Sequence, residues 1–148
     1  MKIVSINISE KRGTIKKPVM SARLIENFGI EGDAHAANDY HRQVSLLSVE
    51  SVDTMKEALP SLSNGSFAEN ITTSGLTLYT LPIGTLLTLG QGCVLEVTQI
   101  GKTCHDGCEI KKLVGRCVMP TEGIFARVLK GGTIEVGDEI CVTYPVHE

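Results

Sequence analysis

Between Lys2 and Ser9 apolar and polar residues alternate. Ile3, Ser5 and Asn7 fall on one face of an extended chain and Val4, Ile6 and Ile8 on the other, which predicts a strand. Val19 to Ile25 and Gln43 to Leu47 predict two more. The period then changes. Val49, Val52, Met55 and Leu59 recur at helical spacing and share one apolar face. Ser48 is a suitable N-cap, Glu50 suits the helix dipole and Pro60 marks the end, so a packing helix is expected from Val49 to Leu59.

From Leu76 onward the pattern is β throughout. The segment GTLLTLG, Gly84 to Gly90, resembles GTIEVG, Gly132 to Gly137. Each leads into a β-rich run, Val94 to Ile100 and Glu139 to Thr143. The repeat predicts two equivalent strand–turn corners of a small barrel, where glycine allows the sharp bends that closure needs. GIFARVLKGG, Gly123 to Gly132, fits helix or strand by period alone, and the glycines behind it favour strand. One helix among eight or more short strands predicts a mainly β, barrel-like fold. Residues 1–148 are read as a single domain with a real core.

Composition narrows the function classes. Net charge is −3, which argues against a general nucleic-acid or anionic-membrane binder. The start, MKIVSINISEKR, lacks an apolar stretch of secretory length. No apolar run approaches the ~20 residues that span a bilayer. The expectation is a soluble cytoplasmic protein. Five cysteines, an odd number, argue for free thiols in a reducing compartment rather than a disulfide framework. Cys93 and Cys141 lie in strand-like runs and are expected to be small buried hydrophobes.

The other three cysteines change the picture. Gly101 to Val128 holds Cys104, Cys108 and Cys117, with His105 beside the first and Lys102, Lys111, Lys112, Arg116 and Arg127 around them. Thiols act as nucleophiles and soft ligands only as thiolates, and nearby positive charge raises the thiolate fraction. Asp106–Gly107 reads as a tight turn, which puts Cys104 on a loop beside Lys102 and His105. A zinc site from Cys104, Cys108, Cys117 and His105 is a rival, although the spacings lack the usual C-x2-C pair. Elsewhere, GIEGDAH, Gly29 to His35, is a glycine-punctuated turn ending near Asp33 and His35, with His41 and Arg42 close behind. Glu69 and Asn70, between Phe67 and Ile71, could hydrogen-bond a heterocycle, or Asn70 could serve a turn. Lys11, Arg12, Lys16 and Lys17 make a basic loop, more simply read as solvated than as anion-binding.

Taken in series, GIEGDAHA…HRQVSLLS, FAENITTSGL, GKTCH…GRCVMPTEGIFARVLKGG and IEVGD resemble the MOSC domain, the C-terminal domain of molybdenum cofactor sulfurases, in a small stand-alone bacterial form. The resemblance covers nearly the whole chain. It implies a mainly β fold with a closed or near-closed barrel of the pyruvate-kinase-barrel kind and one or two short helices. It also implies a role around the molybdenum cofactor, with Cys104 as the hallmark cysteine. Other matching positions are Gly32, Asp33, His35, His41, Arg42, Gln43, Glu69, Asn70, Gly123 and Arg127. The family's F-G-E-N is here Phe67-Ala68-Glu69-Asn70. The pyridoxal phosphate part of the longer sulfurases has no counterpart in this chain, so a separate sulfur donor such as a cysteine desulfurase is implied.

The resulting expectation is a sulfur carrier. Cys104 accepts sulfur as a persulfide and passes it to a molybdenum centre, or ligates that metal as a soft thiolate. Lys102 and His105 favour the anion, and Cys117 is a resolving thiol. Arg42 with Lys16 or Lys17 holds the cofactor phosphate. Asp33, His35, His41, Glu69, Asn70 and Arg127 complete the cofactor-binding set. The acceptor would be a molybdoenzyme or a cofactor-biosynthesis protein. Two alternatives are a molybdenum-dependent reductase component acting on N-hydroxylated compounds, which would need a separate electron source, and an insertion module without sulfur chemistry.

Overall fold

The computed structural model describes residues 1–9, 16–34, 36, 42–57, 69–101 and 122–145. Among them are eleven strands, one α-helix and a 3-10 turn at Leu78–Thr80. The strands are β1 Lys2–Ile8, β2 Lys17–Val19, β3 Ser21–Ile25, β4 Gly29–Ile30, β5 Val44–Ser48, β6 Ile71–Ser74, β7 Leu86–Leu89, β8 Cys93–Ile100, β9 Ile124–Lys130, β10 Gly132–Glu135 and β11 Ile140–Thr143. The helix, α1, runs Val49–Lys56. The expected mainly β architecture is therefore present, and within Gly123 to Gly132 the residues Ile124–Lys130 are strand.

Eight strands form one sheet in the order β11-β7-β8-β9-β5-β6-β1-β2, and β10-β3-β4 form a second. The β5–β6 pair is parallel, while its neighbours are antiparallel. An isolated bridge, Lys2 with Glu139, brings β1 against the β10–β11 turn. Three backbone bonds support it: Ile3 N to Asp138 O, Gly137 N to Ile3 O, and Ile140 N to Met1 O.

One row of apolar residues crosses the middle of the sheet. Ile6 pairs with Ile71, Ile71 with Leu46, Leu46 with Ile124, and Ile124 with Ile100. The first four belong to a core with Leu87, Leu95, Val97 and Val128, all essentially sealed from solvent. Strict alternation in β1 does not survive. The register shifts between Ile3 and Ser5, so both Ile3 and Ile6 enter the core. A bulge at Val4 does this, because one extra residue reverses the facing of all that follow.

Ser48 caps α1 as expected, its Oγ accepting from Ser51 N at 3.1 Å. Helix residues Val52 and Met55 are fully buried with Leu47, outside the main core cluster. They cover the second face of β5, which explains why every residue of that strand is buried.

The two similar glycine segments are adjacent in space. Gly90 N donates to Glu139 O, and a Cβ on Gly90 would lie 2.6 Å from an Asp138 carboxylate oxygen. Gly90 has φ 58° and Gly137 φ 95°, a region where side-chained residues are strained. Cys93 is buried as expected. Cys141 is not: it is exposed on β11, which ends the sheet order among the described residues, and its side chain points to the face opposite the buried Ile140 beside it.

Candidate functional site

The site is built on the face of the sheet opposite the core. In β1, β5 and β6 the residues that alternate with core positions are polar, Ser5 and Asn7, Ser45, and Thr72, apart from Leu47, which is buried with the α1 residues Val52 and Met55. The polar ones are nonetheless buried, and buried polar atoms must find partners. Ser5 Oγ donates to Asn7 Oδ1 at 2.7 Å, Asn7 Nδ2 to Thr72 Oγ1 at 3.2 Å, and Thr72 Oγ1 to Glu69 Oε2 at 2.9 Å. Because an amide nitrogen already donates to it, the Thr72 hydroxyl commits its proton to Glu69. Glu69, fully buried, is thereby held as an acceptor.

Asn70 ties the same strands together. Its Oδ1 accepts from Ser45 N at 3.0 Å and Ser45 Oγ at 3.2 Å, and its Nδ2 donates to Asn7 O at 3.2 Å. Its backbone N donates to Ser45 Oγ at 3.0 Å, and its carbonyl accepts from Asn7 N at 2.6 Å. Asn70 thus holds the starts of β5 and β6 against the end of β1.

Asp33 enters from the glycine-punctuated turn. Gly29 is obligatory there: at φ 135°, an added Cβ would stand 2.7 Å from the Gln43 carbonyl oxygen. The chain then turns so that Ala34 N donates to Ser9 O and Ser9 N donates to Asp33 Oδ1 at 3.1 Å. Lys16 Nζ meets the same carboxylate oxygen at 2.6 Å, with both side chains 1% exposed or less. Lys16 Nζ also reaches Ser9 Oγ at 3.4 Å. Burial pushes the Asp33 carboxyl pKa up, but Lys16, the Ser9 N–H and the Asn70 side chain together hold it below its ordinary value. The ion pair and the Asn70 network are therefore one connected layer.

Arg42 lies at its border. Its guanidinium sits 5.3 Å from the centroid of the Phe125 ring, and Phe125 is the register partner of Ser45. Gln43, beside it, is a strut: Oε1 accepts from Val128 N and Nε2 donates to Asn27 Oδ1. Arg127 is engaged elsewhere, with Glu96 at 2.9 Å, on the side of β8–β9 turned away from Leu95 and Val97.

The structure therefore brings together Asp33, Glu69 and Asn70, with Arg42 alongside, and sets Arg127 apart in a cross-strand pair. Lys16 is spent on Asp33, so of the two lysines assigned to a phosphate only exposed Lys17 stands at the surface. His35, His41, Lys102, Cys104, His105, Cys108 and Cys117 lie outside the described residues. So does the rival zinc set. Among the described residues no three His, Cys, Asp or Glu side chains cluster for a metal. The flanks of the cysteine segment do meet, since Gly101 N donates to Gly123 O at 2.7 Å. Asn7, Ser45, Thr72 and Ser9 were not foreseen as site residues. Their signal is a polar residue at alternate positions of three strands whose other positions are core.

A small, mainly β domain with an ionised, fully hydrogen-bonded layer behind its core is what the fold and the site define. The chain belongs to the MOSC domain family, whose model matches residues 31–141. It is 30% identical over 135 residues to the uncharacterized protein YflK of Bacillus subtilis, covering 84% of this chain and 60% of that protein's length. Among solved structures it resembles the YuaD protein of Bacillus subtilis, with a TM-score of 0.81, 20% identity and coverage of 95% of this chain and 94% of the other. It also resembles YiiM from Geobacillus stearothermophilus, with a TM-score of 0.69, 20% identity and coverage of 96% and 74%. YiiM from Escherichia coli matches with a TM-score of 0.68, 17% identity and coverage of 100% and 72%. At these identities the structural likenesses show a shared fold. The MOSC family is associated with the molybdenum cofactor. No helix among the described residues is long and apolar enough to cross a membrane.

Proposed function

We propose that this protein is a cytoplasmic sulfur carrier of molybdenum cofactor metabolism, with Cys104 as its carrier thiol. The observation that carries the reading is the convergence of Asp33, Glu69 and Asn70, from three separate segments, in one buried polar layer bordered by Arg42. A layer this fully bonded is costly to assemble, and it makes sense as a preorganised wall for a polar ligand.

The donor set fits a phosphate-bearing pterin in kind. Arg42, already oriented by Phe125, suits a phosphate, since guanidinium binds such groups in bidentate fashion. Glu69 supplies a fixed carboxylate acceptor for a ring amino group. Asn70 and the Lys16–Asp33 pair hold that wall in place. Cys104 would supply a soft thiolate to the metal. When bound, the cofactor supplies the metal that takes up the sulfur. The bridge between β1 and the β10–β11 turn favours a near-closed barrel as the frame of this wall.

In the protein's own step, the Cys104 thiolate attacks the terminal sulfur of a donor persulfide. The new S–S bond forms as the donor's S–S bond breaks, the donor leaves as a thiolate, and Cys104 carries the persulfide. A cysteine desulfurase is the expected donor, and a molybdoenzyme or cofactor-assembly protein the acceptor. Intact-mass analysis after incubation with a desulfurase and cysteine tests the reading. One added sulfur atom is expected on the wild type and none on Cys104→Ser. Equal labelling of both would sink it. Metal and pterin analysis after anaerobic purification should show cofactor lost in Glu69→Gln while the persulfide still forms.

A further inference from the structure

β5 begins at Val44, and Arg42 stands just before it. Continuing the Val44–Ala126 register by two residues would set Arg42 opposite Val128. The backbone groups of Val128 on this side are bonded elsewhere. Its N–H donates to Gln43 Oε1 at 3.1 Å, and its carbonyl accepts from Asn27 N at 2.8 Å. A side-chain amide thus does what a strand carbonyl does in a regular ladder. Both polar atoms of that amide are used, since Gln43 Nε2 donates to Asn27 Oδ1 at 3.1 Å. Gln43 N donates to Ala126 O at 3.1 Å, and the residue is 1% exposed.

Asn27 completes the bracket from the β3–β4 turn, which Phe28 N closes on Ile25 O at 3.0 Å. Its φ of 53° is a conformation that asparagine adopts more readily than most side-chained residues. Three segments are joined in this way: β9 at Val128, the β3–β4 turn at Asn27, and the entry to β5 at Gln43. Arg42 contrasts with its neighbour. It is half-buried, with its guanidinium 5.3 Å from the Phe125 ring centroid. A contact with a ring face does not fix the direction of a long side chain, whereas a two-point grip on phosphate needs that direction fixed. The direction then depends on where the backbone releases the side chain, one residue from the bracket.

We propose that, given the role of Arg42 toward phosphate put forward above, Gln43 is its positioning residue. By taking up the Val128 N–H and Asn27 Oδ1, the Gln43 amide sets the point from which the guanidinium reaches over Phe125. Gln43 and Asn27 thereby govern the preference for a phosphate-bearing pterin over a phosphate-free one, without touching either.

Fluorescence titration of the full chain with 6-hydroxymethylpterin and with its diphosphate ester tests this. Wild type should bind the diphosphate at least about tenfold more tightly, as a charge-assisted contact provides. Gln43→Met should remove most of that preference, the loss falling on the diphosphate. It should also move the ligand-free NMR resonances of the Arg42 side chain away from their ring-shifted positions over Phe125. Asn27→Gly, which suits the same φ, should do both in smaller measure, and it decides if Gln43→Met fails to fold by circular dichroism. Arg42→Ala separates this assignment from the phosphate role itself. No preference in wild type, or a preference that survives Arg42→Ala, would overturn both. A preference lost in Arg42→Ala but kept in folded Gln43→Met, with unmoved Arg42 resonances, would overturn the role of Gln43 alone. Equal weakening of both pterins in Gln43→Met would mark a merely structural residue and overturn it as well.

Discussion

The two faces of β1, β5 and β6 make opposite use of the same strands. Toward the core stand Ile6, Leu46 and Ile71, joined only by contact. Toward the other side stand Ser5, Asn7, Ser45 and Thr72, each bound to a neighbour by a directed bond. The apolar face is nondirectional and tolerates small shifts. The polar face does not, because a buried donor or acceptor that loses its partner keeps its desolvation cost. The first face holds the protein together; the second fixes where Asp33, Glu69 and Asn70 stand.

That contrast can be broken most severely at Asp33. Asp33→Ala leaves the Lys16 ammonium buried without its counter-charge and should cost about 3–5 kcal/mol in urea unfolding. The double variant Lys16→Met/Asp33→Leu should recover most of this, because it removes both charges together. If the double variant is no better than the single, charge is not what makes this face brittle.

Leu46→Ala on the apolar face should cost about 2–4 kcal/mol by the same measurement, through lost burial and an unfilled cavity. Its effect should fall on stability alone, with the Asp33 pair left intact.

A gentler test is pH. The Asp33 carboxyl is held below its ordinary value of 3.8 when folded, so its contribution is fully present above that value. It is lost as pH falls through the lower folded value, because protonation then favours the unfolded chain. Wild-type stability should therefore decline on acidification below that ordinary value, and the decline should be shallower in the charge-free double variant. Identical acid profiles would mean that other carboxylates dominate.

The smallest effect is expected at Arg127. Its pair with Glu96 is partly exposed, so Arg127→Ala should cost no more than about 1 kcal/mol, and added salt should shrink the difference further. A large loss there would mean that the outer side of β8–β9 does more than a solvated cross-strand pair can.

Much of this was legible along the chain. The helix cap at Ser48, the strand at Ile124–Lys130 and the kinship of the two glycine corners follow from local rules, and all are present. The family was legible from motifs in series. Asp33, Glu69 and Asn70 were singled out from the same motifs. What was not legible was who would meet whom. Lys16 sits in a run of cations that reads as solvated, yet it is among the most buried side chains, because Asp33 lies opposite it. Cys141 reads as a core residue by its neighbours, but it lies on the last strand of the sheet order.

By itself the sequence determined the elements and the chemistry available to them, since period, caps and turn residues act over a few neighbours. Only the tertiary structure decided which polar residues are buried, which lysine is neutralised and which face carries the site. Those outcomes depend on pairings between residues dozens of positions apart, and on a single bulge in β1 that resets the facing of every residue after it.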